Sequence, residues 1–193
     1  MEPQSPPPIQ SGTLKLPGSK WPQTLGIISI IFGVGGILQS IAAPFTAAIA
    51  RTSMEAFVDQ GADQERVADY LTKLQSNVYL SGGIYLILAL ILLGGAIMLL
   101  KRKPASSLVL QTWGVLKILG GGFILFKSIA IQKTQMDIMF SATAGNEAEM
   151  IGNIAKYAMS FGLAFGFLWL IALPLFYLTW FNREKVKTQM SEW

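Results

Sequence analysis

Charged residues are missing from two long stretches of this chain, Trp21 to Ala50 and Leu74 to Leu100. Each exceeds the roughly 20 apolar residues that an α-helix needs to cross the hydrocarbon core of a bilayer. Past Lys101, Arg102, Lys103 and Pro104 a third apolar stretch runs from about Gln111 to Gln132, interrupted by Lys117 and Lys127. A fourth runs from about Ile154 to Phe181 and stops at Asn182, Arg183, Glu184 and Lys185. The pattern predicts an all-α integral membrane protein with four transmembrane helices, spanning about 22–45, 77–100, 111–132 and 154–181 within a membrane domain of residues 21–182.

The segments outside these spans carry their own signals. Gly61 breaks the chain, Asp63 is placed to cap a helix, and Val67, Tyr70, Leu71 and Leu74 follow at i, i+3, i+4 and i+7 on one face. This predicts short helical extracytoplasmic segments whose apolar face rests on the bilayer surface or on a sister segment; the sharper alternative is a docking face for a partner. Residues 1–20, with Pro3, Pro6, Pro7, Pro8 and Pro17, read as a disordered Pro-rich cytoplasmic tail. Residues 183–193 read as a cytoplasmic C-terminal tail. The first uncharged block is far longer than the ~7–15 residues of a signal-peptide core, so it is expected to stay in the chain.

Basic residues set the expected orientation. One side of the spans holds Lys15, Lys20, Lys101, Arg102, Lys103, Arg183, Lys185 and Lys187 against Glu2, Glu184 and Glu192. The other side holds Arg51, Arg66, Lys73, Lys133 and Lys156 against Glu55, Asp59, Asp63, Glu65, Asp69, Asp137, Glu147 and Glu149. The positive-inside rule places the first side, with both termini, in the cytoplasm, and Trp21, Trp113 and Trp180 near that interface. The proline-rich tail and cysteine-free outer loops suggest a bacterial inner membrane.

The chain also matches itself. Arg51-Thr52-Ser53-Met54-Glu55 is answered by Lys133-Thr134-Gln135-Met136-Asp137, and Gly61-Ala62-Asp63-Gln64-Glu65 by Gly145-Asn146-Glu147-Ala148-Glu149. Gly33 and Ser40-Ile41-Ala42 align with Gly121 and Ser128-Ile129-Ala130, and Ser81-Gly82-Gly83 with Ser160-Phe161-Gly162. Matches in one order predict two copies of a helix hairpin, residues 21–100 and 109–182. Each copy crosses twice, so the copies share one orientation, about an axis along the membrane normal.

Composition narrows the chemistry. Charged residues make up 13% of the 193, against roughly 25% in soluble domains, and mean hydropathy is +0.47. The absence of cysteine and histidine removes disulfides, thiolate chemistry, and the commonest general base and metal ligand. A pI near 9.4 reflects bases at span ends rather than a nucleic-acid-binding stripe. The spans contain no Asp or Glu, which removes the usual parts of proton- or cation-coupled transport. Gly120-Gly121-Gly122 lies inside an apolar helix and is no phosphate loop. An enzyme would need a polar cluster such as Gln39, Ser40, Gln111 and Asn153 to converge from different helices. No catalytic residue, cofactor or metal ion is expected.

Two sets of residues within the spans stand out. Gly26, Ser29, Gly33, Gly36, Ser40, Ala43 and Ala47 form a small-residue seam along the first span, matched by Gly121 in the third and Ala158, Gly162 and Gly166 in the fourth. Such seams let helices approach closely in lipid, within one molecule or between copies. Lys117 and Lys127 are the span cations. Each is near enough to a span end to snorkel, and Trp113, one turn before Lys117, is a cation–π partner for it. On a helical wheel Trp113, Gly114, Lys117, Gly121 and Ser128 share one side, so the alternative has Lys117 facing the bundle interior to bind an anionic group. Pro174 should kink the fourth span.

The layout of four spans with a larger first outer loop resembles tetraspanins and claudins, but their extracellular cysteines are absent here, so no function carries over. The first expectation is a non-enzymatic scaffold or accessory subunit of a membrane assembly. The alternative is a small transporter or channel for an anionic or neutral solute. Expected partners are anionic lipid headgroups at the cytoplasmic rim, further copies of the chain or other membrane subunits, and no nucleic acid.

Overall fold

A computed structural model describes residues 19–59, 61–142 and 146–193, the side chains of 142–156, 158 and 159 aside. The tail over residues 1–18 and the side chains of Asn153 and Ala158 thus lie outside the described residues. Those described form α1 (Trp21–Asp59), α2 (Gln64–Leu100), α3 (Ser106–Ala142), α4 (Asn146–Trp180) and α5 (Glu184–Ser191). Helices α1 to α4 are each long and apolar enough to cross a membrane.

The outer segments differ from the expectation of separate short helices. They are continuations of the spans. Helix α1 has 39 residues and rises ~58 Å, well beyond a hydrocarbon core of ~30 Å. It passes through Pro44 and residues 46–59 without a break. No helix breaker lies in that stretch, Arg51 bonds Glu55 one turn on at 3.0 Å, and the chain turns only at Gly61, where φ is +100°, a conformation that suits a residue without Cβ. Asp63 then caps α2, its carboxylate accepting from the amides of Glu65 at 2.9 Å and Arg66 at 3.5 Å.

The amphipathic start of α2 is covered from within the chain. Val67 and Tyr70 are buried against Met54, Ala62 and Ile138, with Leu71 and Leu74 alongside. Met54 belongs to the end of α1 and Ile138 to the end of α3, so three helix ends close one pole of the bundle. This pole carries the acidic segments.

The opposite, basic pole has a second cluster. Leu25, Leu99, Leu110, Trp113, Tyr177 and Phe181 are buried there together. The segment read as a tail contributes to it: α5 folds back so that Val186 and Met190 are buried. Trp193 stacks on Trp21 at 5.6 Å between ring centroids, and the Trp21 indole N–H donates to Gln189 at 2.7 Å.

Along the bundle α1 packs on α2, α2 on α3, and α3 on α4. Glycines set the closest approaches. A Cβ on Gly26 would lie 2.6 Å from Leu100, and one on Gly33 2.6 Å from Leu93. A Cβ on Gly36 would meet that of Ala89 at 3.0 Å. Gly121 abuts Leu170, and Gly114 lies against Pro174 of α4, which continues through that proline. Gly162 and Gly166 of α4 face open space. Large apolar side chains point outward along all four helices, among them Ile31, Phe45, Ile87, Leu119, Phe126 and Phe161. So wide an exposed apolar surface is the mark of a membrane- or partner-facing one, and a membrane location follows from the helix lengths together with it.

Candidate functional site

Among the described residues, helix α1 meets α4 through side-chain contacts toward the basic pole. The Ser29 hydroxyl is hydrogen-bonded to the Tyr177 hydroxyl across the two helices at 2.5 Å, and it also lies 2.6 Å from the Leu25 carbonyl, which accepts from it. One turn further along, Phe32 meets Trp169 with ring centroids 5.0 Å apart. Trp113 of α3 stands edge-on to Tyr177 at 5.7 Å. These rings and the buried cluster behind them fill the bundle's basic end.

Beyond that plug the bundle is hollow. A cavity of about 560 Å³ is lined by Phe32, Gly35, Gly36 and Gln39 from α1 and by Tyr85, Leu88, Ala89 and Leu92 from α2. Helix α3 contributes Trp113, Lys117, Gly121, Ile124 and Ser128, and α4 contributes Gly166, Trp169 and Leu170. The volume falls within the ~300–1,000 Å³ of small-molecule sites. Three of the four α3 residues that the wheel placed with Lys117 line it; Gly114 instead packs on Pro174.

Lys117 is the cation of this cavity. It is half-buried, and its ammonium sits 5.2 Å from the Trp113 ring centroid, the arrangement that the one-turn spacing predicts. Around its base Trp113, Tyr177, Leu110 and Phe181 are each 2% exposed or less and pack the basic end of the bundle. The ion pairs among the described residues are Arg51 with Glu55 and Lys73 with Asp69, so none of the described carboxylates pairs with Lys117. The Trp113 indole N–H, on a ring 2% exposed, is buried without an acceptor. The cation thus faces the cavity with the Trp113 ring beneath it, and it favours an anionic oxygen.

The far end of the cavity is polar in the opposite sense. Ser128 lines it and accepts from the Asn77 amide at 3.3 Å. The Asn77 side-chain carbonyl and that of Gln132, one turn past Ser128, are buried without donors. Eleven residues separate Lys117 from Ser128, ~16 Å along α3.

The remaining sequence candidates sit elsewhere. Lys127 is exposed, its ammonium 5.3 Å from the Phe123 ring centroid, on the outside of the bundle. Gln39 lines the cavity, while Ser40 donates back to the Gly36 carbonyl at 2.8 Å, and Gln111 is not among the lining residues. No group of three or more acidic side chains able to hold a metal ion occurs among the described residues. Trp169, Phe32 and Gly35 escaped the sequence reading; the only signal was the i, i+4 series Phe161, Phe165 and Trp169, whose rings stack in succession along α4. No protein-family model, curated protein or solved structure matches this chain.

Proposed function

We propose that the chain is a non-enzymatic, four-span membrane protein that binds, and passes across or along the membrane, a small solute with an anionic group, held at Lys117. One observation carries this reading: a cavity inside the bundle exposes a lysine that has no carboxylate partner among the described residues, its ammonium over the Trp113 ring. An uncompensated charge in such surroundings is costly, which makes a counter-ion a natural occupant.

The reading includes cytoplasmic termini, a basic rim of Lys101, Arg102 and Lys103 that favours anionic headgroups, and a duplicated origin. The packing supports the duplication. Gly26 and Gly33 of α1 pack on α2, and Gly114 and Gly121 of α3, at the same seven-residue spacing, pack on α4. In that register Ser29 corresponds to Lys117. One copy uses the position to bind α4 and the other to place a charge.

Binding by the purified protein in nanodiscs, read by native mass spectrometry, tests the assignment. Lys117→Met is expected to weaken retention of anionic solutes about tenfold or more, the worth of a hydrogen bond to a charged group. Lys127→Met, altered on the bundle exterior, is expected to leave it unchanged. Equal retention by wild type and Lys117→Met overturns the proposal.

The scaffold or accessory-subunit reading has one observation in its favour: Gly162 of α4, outside the cavity lining, is exposed with open space beside it, where another helix would fit. Stoichiometric foreign subunits, or a closed homo-oligomer, in the same mass spectra support it.

A further inference from the structure

We infer that the occupant of the Lys117 cavity is a single-chain amphiphile with a carboxylate head, which reaches it sideways from the bilayer through a gap between α1 and α4. The inference rests on the binding reading above and adds the ligand's class and its route.

The route follows from where α1 and α4 touch and where they do not. Toward the basic pole the gap between them is shut by the bond of Ser29 to Tyr177 and by the Phe32–Trp169 ring contact. Eleven residues separate Phe32 from Trp21, and Trp169 from Trp180, so both rings stand ~16 Å from the Trp21–Trp180 contact, near the middle of a ~30 Å core. Just beyond, Gly35 and Gly166 oppose this closure from α1 and α4. Both line the cavity, and a Cβ on either would meet nothing within 4 Å. Two glycines on facing walls, with open space at each, leave a window between cavity and surroundings. Phe165, 57% exposed, continues the aromatic edge of that window outward from Trp169.

The ligand's class follows from what the route and the cavity accept. A window framed by glycine and aromatic rings at mid-depth opens onto lipid chains and not onto water, so the occupant must be soluble in hydrocarbon. The Lys117 ammonium, which lines the cavity, favours an anionic oxygen as its acceptor. A carboxylic acid meets both demands: protonated, it is uncharged and crosses the apolar window at modest cost, and at Lys117 its proton passes to water and the carboxylate left behind pairs with the ammonium. Its chain then lies along Leu88, Leu92, Ile124 and Leu170.

Oleic acid carrying a diazirine in its chain, added to the full chain in nanodiscs of neutral lipid, tests this, with butyrate and inorganic phosphate as water-soluble comparisons. Expected are Lys117-dependent retention of oleate, crosslinks to α1 and α4, and no competition from butyrate or phosphate. Gly166→Phe and, on the opposite wall, Gly35→Phe are each expected to reduce crosslinking at least fivefold. Gly122→Phe, also facing open space but outside the cavity lining, should leave it unchanged. If butyrate or phosphate binds in a Lys117-dependent way and oleate does not, the amphiphile is wrong and the binding site stands. If oleate needs Lys117 but neither glycine variant slows its crosslinking, the lateral route falls. If no probe depends on Lys117, the binding reading falls and this inference with it.

Discussion

Single residues in this bundle matter through what their neighbours leave room for. A leucine at Gly33 would drive into Leu93, whose side chain already lies 2.6 Å from the position of a Cβ. Gly33→Leu is therefore expected to destabilise the protein by about 1–3 kcal/mol, the usual penalty of overpacking. Gly94→Leu, on the outer face of α2 with nothing within 4 Å, is expected to be neutral; thermal unfolding in detergent compares the two. Equal effects would mean that glycine acts through helix propensity and not through the α1–α2 approach. The Ser29–Tyr177 bond contributes less. Tyr177→Phe leaves the serine bonded to the Leu25 carbonyl, so a loss of about 0.6 kcal/mol is expected, typical of interhelical bonds in lipid. The small-residue seam was legible in the sequence because glycine recurs at helical spacing. The surroundings of Lys117 were only half legible: the wheel groups it with Trp113, Gly121 and Ser128, but whether that side meets lipid or a cavity depends on where α1 and α4 pass, which no local pattern encodes.

At the scale of elements, hydrophobic runs located the four helices and missed their true ends. The spans were bounded by charge, whereas a helix ends only where its backbone is broken or capped. In α1 charged residues from Arg51 onward pair one turn apart and stay helical, so the helix runs to Asp59 and the break comes at Gly61. Asp63, by contrast, was readable as a cap because its position before an amphipathic run is a local signal. Removing it by Asp63→Ala leaves the amides of Glu65 and Arg66 without their side-chain acceptor and is expected to cost about 1 kcal/mol. Hydrogen exchange is the sensitive readout: amides in the first turn of α2 should exchange faster while those near Leu100 keep their protection. Unchanged exchange would show that packing of Val67 and Tyr70 alone holds the turn. Helix α5 illustrates the opposite failure. Eight residues are too few for periodicity to stand out, and Val186 and Met190 gain meaning only once Trp21 and Phe181 are brought beside them.

For the whole molecule, the sequence-level argument that reaches furthest is orientation, and the fold sharpens it into a test. Four helices run in turn from pole to pole, and the structure gathers Lys101, Arg102, Lys103, Arg183, Lys185 and Lys187 at the same pole as Trp21, with Asp59, Asp63, Glu65 and Asp69 at the other. The positive-inside rule then makes a cytoplasmic basic pole the expected orientation, which labelling can test. Because the chain has no cysteine, introduced thiols report position without background. The choice of site matters: Ser106, the first residue of α3, is fully buried and would stay unlabelled from either side, so exposed Ala105, in the loop between α2 and α3, is the informative neighbour. In intact cells an impermeant maleimide is expected to label Ser53→Cys and spare Ala105→Cys, with the latter reacting only after lysis. The reverse pattern would put the basic pole outside. Labelling of both in intact cells would break the four-span arrangement itself, since residues 53 and 105 are then not separated by a membrane. The outcome also fixes the side of the bilayer on which the plugged end of the Lys117 cavity lies: with Ser53 outside, the plug faces the cytoplasm and the Ser128 end points outward. Any solute released to the cytoplasm must then either return through the α1–α4 gap or displace the Trp113–Tyr177 contact.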